Sequence, residues 1–191
     1  MNPSTPPGTP AAVTRTELRR QMLVARQAWI QGPLAQAAQS GLEKNVLDVL
    51  RRLEPECLGL YWPVQGEFNP RPVALMVQTE WACQLALPWA QREPRQMQYR
   101  PWDGTALTTT DECGIPSPSG PACRPDVVLV PCVGFTQDGY RLGYGGGYFD
   151  RYLAAHPDVT AIGVSWSIGE LGAEVLQPEA HDMPLLCVLT E

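Results

Sequence analysis

The sequence has no basic excess, because 14 lysines and arginines stand against 20 aspartates and glutamates, for a formal net charge of -6. Surfaces that bind nucleic acid normally carry a basic stripe, so we expect no nucleic-acid partner. Apolar runs of the roughly 18 residues that a transmembrane helix needs are also missing, so we expect no membrane partner. The N-terminus "MNPSTPPGTPAAV" lacks the charged and apolar segments of a signal peptide, and we therefore expect a cytoplasmic protein.

Metal-binding cysteine motifs are absent as well. The six cysteines include no CxxC pair, and only two histidines accompany them. This pattern argues against a zinc site. We expect the cysteines to be reduced and mostly buried.

Length and composition predict one domain. A chain of 191 residues with 44% hydrophobic composition can bury one sizeable core but hardly two. Four prolines lie in the first ten residues, and proline removes backbone donors, so we expect residues 1–13 to form a disordered tail. The predicted domain comprises residues 14–191.

The first predicted helix begins at "TRTE", a capping-box pattern in which Thr14 and Glu17 satisfy each other's backbone amides. The helix is predicted to continue to about Ile30. Its apolar stripe contains Leu18, Met22, Ala25 and Trp29, and a second stripe directly beside it contains Arg15, Arg19 and Arg26. These arginines either lean into a cleft or extend along the edge of a packed helix, and the sequence leaves both readings open.

The remaining pattern alternates helices and strands. A second helix is predicted between Pro33 and Pro55, and a third over residues 72–81. Predicted strands cover residues 57–63, 83–89, 126–135, 160–166 and 185–190. Residues 104–125 are predicted to form a long irregular connection. The pattern favours a three-layer α/β/α sandwich around a mostly parallel, mixed sheet.

The segment "RLGYGGGYFDR", residues 141–151, contains four glycines between a predicted strand and a predicted helix. Such a turn either binds phosphate through successive backbone amides or is simply a tight structural turn. The dinucleotide fingerprint is excluded because Tyr148 stands where its last glycine is required, and a Walker A lysine is absent. Asp150 either holds Mg²⁺ beside a phosphate or is a helix N-terminal aspartate paired with Arg151.

The longer segment "GFTQDGYRLGYGGGYFDRYL" resembles the signature of the 5-formyltetrahydrofolate cyclo-ligase family. The segments "TRTELRRQMLVARQAW", "YWPVQGEFNPRPV", "MQYRPWDGTAL", "GIPSP" and "EAHDMPLLCVLTE" resemble other parts of that family in the expected order. The resemblance implies an ATP- and Mg²⁺-dependent closure of 5-formyltetrahydrofolate to 5,10-methenyltetrahydrofolate, with release of ADP and phosphate. It therefore implies ATP as co-substrate, Mg²⁺ as cofactor and a reduced folate as substrate; we also expect a monomer or weak dimer.

The resemblance also implies roles for individual residues. The implied ATP-binding residues are Arg15, Arg19, Arg141, Gly143, Tyr144, Gly145, Gly146, Gly147, Tyr148 and Phe149. The implied folate-binding residues are Val64, Glu67, Asn69, Trp102, Tyr144 and Tyr148. Arg141, Tyr148 and Asp150 are the implied catalytic residues, and Asp150 and Asp182 would hold the metal. Trp62 and Trp166 are interpreted as core residues, and His181 as structural.

Several positions depart from the family pattern. Arg15 stands where many members have lysine, and Phe149 replaces a frequent tyrosine. Asn69 and Ser117 replace residues that are usually acidic, which leaves the folate side open. Two alternatives to the cyclo-ligase therefore remain: a relative that binds nucleotide or folate without turnover, and an ATP-dependent enzyme of the same fold acting on a non-folate amide.

Overall fold

A computed structural model describes residues 13–191. Its helices are α1 (Arg15–Ile30), α2 (Ala35–Leu53), α3 (Arg71–Trp81) and α4 (Tyr148–Ala155), with a 3₁₀ turn at Ser167–Gly169. The strands are β1 (Cys57–Gly59), β2 (Gln84–Gln91), β3 (Gln96–Trp102), β4 (Val127–Pro131), β5 (Gly134–Phe135), β6 (Arg141–Leu142), β7 (Thr160–Val164) and β8 (Cys187–Leu189). The tail predicted for residues 1–13 lies, except for Val13, outside the described residues.

The described residues form a six-stranded sheet in the order β3-β2-β1-β4-β7-β8. The pairs β1·β2, β1·β4, β4·β7 and β7·β8 are parallel, and the β2·β3 pair is antiparallel. β5 and β6 form a separate antiparallel hairpin. The mostly parallel, mixed sheet predicted from the sequence is thereby confirmed.

Both faces of the sheet are covered by helices. Successive side chains of a strand point to opposite faces, so the neighbours of alternate residues show what covers each face. In β4, Val127 and Leu129 pack into the cluster that contains α2 and α3. Val128 and Val130 pack into a second cluster with Tyr152 and Leu153 of α4. Strands buried on both sides read as unbroken apolar runs, which explains the sequence "VVLV". The structure is therefore the predicted three-layer α/β/α sandwich.

The helices begin and end close to the predicted positions. The hydroxyl of Thr14 accepts a hydrogen bond from the Glu17 amide at 3.2 Å, as the N-cap prediction requires. The reciprocal half of the predicted capping box is wrong, because the Glu17 carboxylate accepts from Arg20 and Gln21 instead. Within residues 13–191, none of the helices has the length and apolarity needed to cross a bilayer.

The strand predictions need three corrections. β3 was not predicted, since its sequence "QMQYRPW" mixes polar residues with a proline; it lies at the edge of the sheet, where such residues are tolerated. The predicted strand over 126–135 is broken after Pro131, and the chain leaves the sheet there. The glycine-rich segment consequently follows the β5–β6 hairpin rather than the central strand directly.

Gly59 of β1 offers a test of how closely the central strands pack against their neighbours. A Cβ added there would lie 2.7 Å from Cγ1 of Val128 and 2.9 Å from Cε1 of Tyr99, both fully buried. We expect Gly59→Ala to lower the free energy of unfolding by about 1–3 kcal/mol, measured by urea denaturation. The matched control is Gly41→Ala in α2, where the added Cβ would meet Glu191 at an ordinary contact distance of 3.5 Å. We expect this substitution to raise the free energy of unfolding by about 0.5–1 kcal/mol, because glycine is unfavourable inside a helix. Equal effects of the two substitutions would contradict the close packing around Gly59.

Candidate active site at the carboxyl edge of the sheet

A cavity of about 680 Å³ opens where parallel strands end. Tyr61 and Trp62, which follow β1, form part of its wall, together with Pro88 and Ala90 of β2 and Pro131 at the end of β4. Open α/β sheets bind ligands at this edge, because the loops that leave the strands diverge there. The size of the cavity suits a small-molecule ligand.

The glycine-rich segment forms one wall of the cavity. Gly145 has φ +88° and Gly147 has φ +63°, a region of backbone space that favours glycine over residues with a side chain. Within residues 13–191, the amides of Gly145, Gly146 and Gly147 donate to no protein acceptor. The segment leads directly into the first turn of α4, whose free amides add partial positive charge. This arrangement can bind an anion.

All the residues predicted to bind ATP line the same cavity. They are Arg15, Arg19, Arg141, Gly143, Tyr144, Gly145, Gly146, Gly147, Tyr148 and Phe149. The hairpin β5–β6, the glycine-rich segment and α1 bring them together. The predicted metal ligands Asp150 and Asp182 also lie in the cavity wall.

Two arginines of α1, Arg15 and Arg19, line the cavity. Arg15 pairs with Asp182 at 2.9 Å and with Glu179 at 3.0 Å, and its Nε is buried without a protein partner among the described residues. Nε of Arg19 donates to the carbonyl of Gly143 at 2.7 Å. The reading in which these side chains lean into a cleft therefore fits Arg15 and Arg19, whereas Arg26 is buried outside the cavity wall.

Asp150 is held by a buried guanidinium. Nη2 of Arg141 lies 3.0 Å from Oδ1 of Asp150, and the Arg141 side chain is only 5% exposed. The same carboxylate oxygen accepts a hydrogen bond from the amide of Met183. The predicted alternative partner, Arg151, donates to the carbonyl of Gly146 instead, so that pairing is wrong, although Asp150 does lie in the first turn of α4.

Asp150 and Asp182, the two carboxylates predicted to hold a metal, differ in how many of their oxygens are already paired. Oδ2 of Asp182 accepts from Arg15 and from the amide of Glu179, and Asp150 uses mainly its Oδ1. Residues 13–191 contain no cluster of three or more aspartate, glutamate, cysteine or histidine side chains that could enclose a metal. Two carboxylates with oxygens left over fit Mg²⁺, which commonly completes its shell with water and substrate phosphate.

The cavity wall also contains a buried carboxylate next to Tyr144. The Glu67 side chain is 4% exposed. Its two oxygens accept from the hydroxyl of Tyr144 and from the amide of Val64, each at 2.9 Å. Burial raises the pKa of Glu67. The two hydrogen bonds and the positive charge of the nearby Arg26 lower it, but they oppose the effect of burial only in part.

Two of the predicted folate contacts lie away from the cavity. Trp102 ends β3 and is buried in the core, where its indole N–H donates to the carbonyl of Thr105. The Asn69 carboxamide accepts from the backbone and side chain of Arg71. The structure therefore does not bring these two residues into the cavity wall, and their contact with folate stays a prediction.

Other residues of the cavity wall were missed. Trp62 was interpreted as core, yet it lines the cavity and stacks under Arg71 at 4.5 Å. Met97, Asp111, Cys113 and Ile115 come from β3 and from the irregular connection. Cys113 lies 3.3 Å from the hydroxyl of Tyr148. The pairing of β3 with β2 places Met97, and hydrogen bonds between the irregular connection and Ala90 of β2 place the other three; the sequence pattern revealed neither. Trp166 is buried as expected, and His181 lies exposed at the cavity rim.

Comparison with known proteins identifies relatives of one kind. The model of the 5-formyltetrahydrofolate cyclo-ligase family matches residues 11–191. A 5-formyltetrahydrofolate cyclo-ligase from Mycoplasma pneumoniae is 64% identical over 28 residues, which cover 15% of this chain and only 17% of that protein. A relative of the same name from Mycolicibacterium smegmatis is 31% identical over 144 residues, covering 68% of this chain and 71% of the relative. The structure of Aquifex aeolicus 5,10-methenyltetrahydrofolate synthetase superposes with a TM-score of 0.71 at 27% identity, over 93% of this chain and 89% of that one.

Because the pKa of Glu67 is raised in the folded protein, its effect on the free energy of unfolding should depend on pH. A carboxyl group whose pKa is raised in the folded state contributes stability below its unfolded pKa, and this contribution is lost as the pH rises through the folded value. We therefore expect the free energy of unfolding of the wild type, relative to Glu67→Gln, to fall between pH 4 and pH 7. Urea denaturation at the two pH values measures this difference. A difference that is constant or that grows with pH would contradict the raised pKa.

Proposed function

The chain belongs to the 5-formyltetrahydrofolate cyclo-ligase family, and on that premise we propose that it closes 5-formyltetrahydrofolate to 5,10-methenyltetrahydrofolate at the expense of ATP. One observation carries the proposal: unpaired amides of the glycine-rich segment and two arginines of α1 face the same cavity as the buried carboxylate Glu67. A site for a phosphate chain and a site for a polar heterocycle are thus neighbours.

The chemistry explains why ATP is needed. The formyl group is bonded to N5 through its carbon, and its oxygen is a poor leaving group. Transfer of the γ-phosphoryl group to that oxygen breaks the bond to ADP and gives an iminium phosphate. N10 then attacks the formyl carbon, the C–O bond to phosphate breaks, and the N10 proton passes to solvent. The first step depends mainly on in-line positioning and charge neutralisation, so a general acid–base pair is not required.

The nucleotide would lie against the glycine-rich segment. The amides of Gly145 to Gly147 would donate to phosphate oxygens. Arg19 would add positive charge, since its guanidinium lies against Gly145: a Cβ built on that glycine would be 3.3 Å from the guanidinium carbon. Arg15 lines the same cavity and would add a second positive charge beside the phosphate chain. Arg141 acts chiefly by fixing Asp150.

Magnesium fits the charge balance of the cavity. The wall contains three arginines and five carboxylate side chains, an excess of negative charge when His181 is neutral. A triphosphate alone would be repelled by that excess, and the positive charge of Mg²⁺ held by carboxylates of the wall would offset the repulsion. Asp150 and Asp182 would hold the ion, which would neutralise the charge that develops on the transferred phosphoryl group.

The folate would occupy the side of Glu67. Its pterin has amino and amide N–H groups, and a buried carboxylate is a strong acceptor for them. Val64, Trp62 and the rings of Tyr144 and Tyr148 provide flat apolar surface around that carboxylate. Ser117, one of the departures from the family pattern, is fully buried and donates to the carbonyl of Pro88, so it supports the wall rather than the substrate.

The decisive test is the ATP-dependent rise in methenyl-folate absorbance when purified protein meets 5-formyltetrahydrofolate and Mg²⁺. We expect the rise only with ATP present, with ADP released in equal amount. Folate binding without ADP release would identify a relative without turnover. ADP release only with another formyl compound would identify a different substrate.

Asp150→Asn tests the metal role. We expect kcat to fall at least about 100-fold, because the neutral amide is a poor Mg²⁺ ligand. Stability should fall by roughly 1–3 kcal/mol, because the buried Arg141 loses its ionised partner. The matched control is Asp158→Asn, which breaks an exposed pair with Arg124 and should leave kcat unchanged. Unchanged turnover in Asp150→Asn would remove Asp150 from the metal role.

A further inference from the structure

Arg26 is a buried charge that the proposed reaction does not use. Its side chain is 4% exposed, although it lies on α1 among arginines that face the cavity. One Nη donates to the carbonyl of Cys132, and the other donates to the hydroxyl of Tyr144 at 3.0 Å. The Glu67 carboxylate is 3.9 Å away. A guanidinium keeps its charge when buried, so these contacts are needed to stabilise it.

The partners of Arg26 belong to separate segments. Cys132 follows β4, Tyr144 lies in the glycine-rich segment, and Glu67 lies in the turn after β1. Arg26 therefore joins the end of the central strand, the proposed nucleotide side and the proposed folate side. The Tyr144 residue is 39% exposed and reaches inward only with its hydroxyl.

The contacts fix the direction of the hydrogen bonds. Arginine has donors and no acceptor, so the Tyr144 oxygen must accept from Arg26. The single hydroxyl proton of Tyr144 is then left for Glu67, at 2.9 Å. With the Val64 amide on its other oxygen, Glu67 is held from both sides. The carboxylate thus keeps one orientation toward the cavity.

We propose that Arg26 is a positioning residue which, through the hydroxyl of Tyr144, fixes Glu67 for the folate and ties that carboxylate to the nucleotide-binding segment. This inference rests on the proposed function for its kinetic consequence, but its structural consequence is independent of it. A purely structural Arg26 would only satisfy the Cys132 carbonyl, and removing the Arg26 side chain would then leave the hydrogen bond from Tyr144 to Glu67, and with it the position of Glu67, unchanged.

The amide of Val64 provides a readout that needs no activity. It donates to Glu67, so its hydrogen-exchange rate reports whether the carboxylate stays in position. In Tyr144→Phe, which keeps the ring and removes the hydroxyl, we expect exchange at Val64 to rise about tenfold. Arg26→Met should have the same effect. Arg20→Met is the matched control, since Arg20 is an exposed arginine of α1 paired only with Glu17, and exchange at Val64 should not change.

The kinetic readout separates positioning from loss of stability. We expect Tyr144→Phe and Arg26→Met each to lower kcat/KM for the folate by about tenfold or more, with the double variant no more than about threefold below the worse single variant. The proposal would be overturned if the kcat/KM losses of the two single variants multiplied in the double variant. Unchanged exchange at Val64 in Tyr144→Phe would also overturn it.

The two readouts also separate this inference from the proposed function. Wild-type protein that forms no methenyl-folate would remove the function, and the exchange rates would still decide whether Arg26 and Tyr144 position Glu67. If Arg26→Met fails to fold, Arg26→Lys takes its place, because it keeps the charge but loses the planar fork that reaches both the Cys132 carbonyl and the Tyr144 hydroxyl. Unchanged exchange at Val64 in Arg26→Lys would then overturn the inference. Active wild type with unchanged Val64 exchange in Tyr144→Phe would overturn the inference and leave the function intact.

Discussion

The need to stabilise two buried guanidinium groups organises the carboxyl edge of this sheet. Arg26 and Arg141 remain charged in the interior, so each must be surrounded by acceptors. Those acceptors come from distant parts of the chain: Cys132 and Tyr144 for Arg26, and Asp150 with the Met183 carbonyl for Arg141. Satisfying the two charges therefore fastens α1, the end of β4, the glycine-rich segment and the residues before β8 to one another.

The sheet topology explains why these segments meet. β1, β2 and β4 are parallel neighbours, so the loops after them leave from one edge. β4 stops at Pro131, and the β5–β6 hairpin then carries the chain away from the sheet before the glycines begin. The hairpin sets the glycine-rich segment above the sheet edge, where α1 can reach it through Arg19. A glycine turn directly after β4 would lie closer to the strand ends and leave less room beneath it.

The sequence predicted those features whose cause is local. Apolar periodicity predicted the helices, and unbroken β-branched runs predicted the buried strands β4 and β7. The resemblance to a family predicted which residues would share a cavity. Features that depend on pairing across the chain were missed. β3 has no apolar run, yet its pairing with β2 brings Met97 into the cavity wall and takes Trp102 into the core.

The misjudged residues show what local patterns cannot supply. Trp62 follows β1 and Trp102 ends β3, and their sequence surroundings do not predict which of the two lines the cavity. They differ in what their neighbours offer: the carbonyl of Thr105 satisfies the indole of Trp102 inside the core, whereas Arg71 stacks on Trp62 beside the cavity. Arg26 and Arg19 differ in the same way, since only Arg26 finds enough acceptors to be fully buried. Burial of a polar side chain is decided by partners brought together in three dimensions, and for that reason the candidate site is where inference from sequence is weakest.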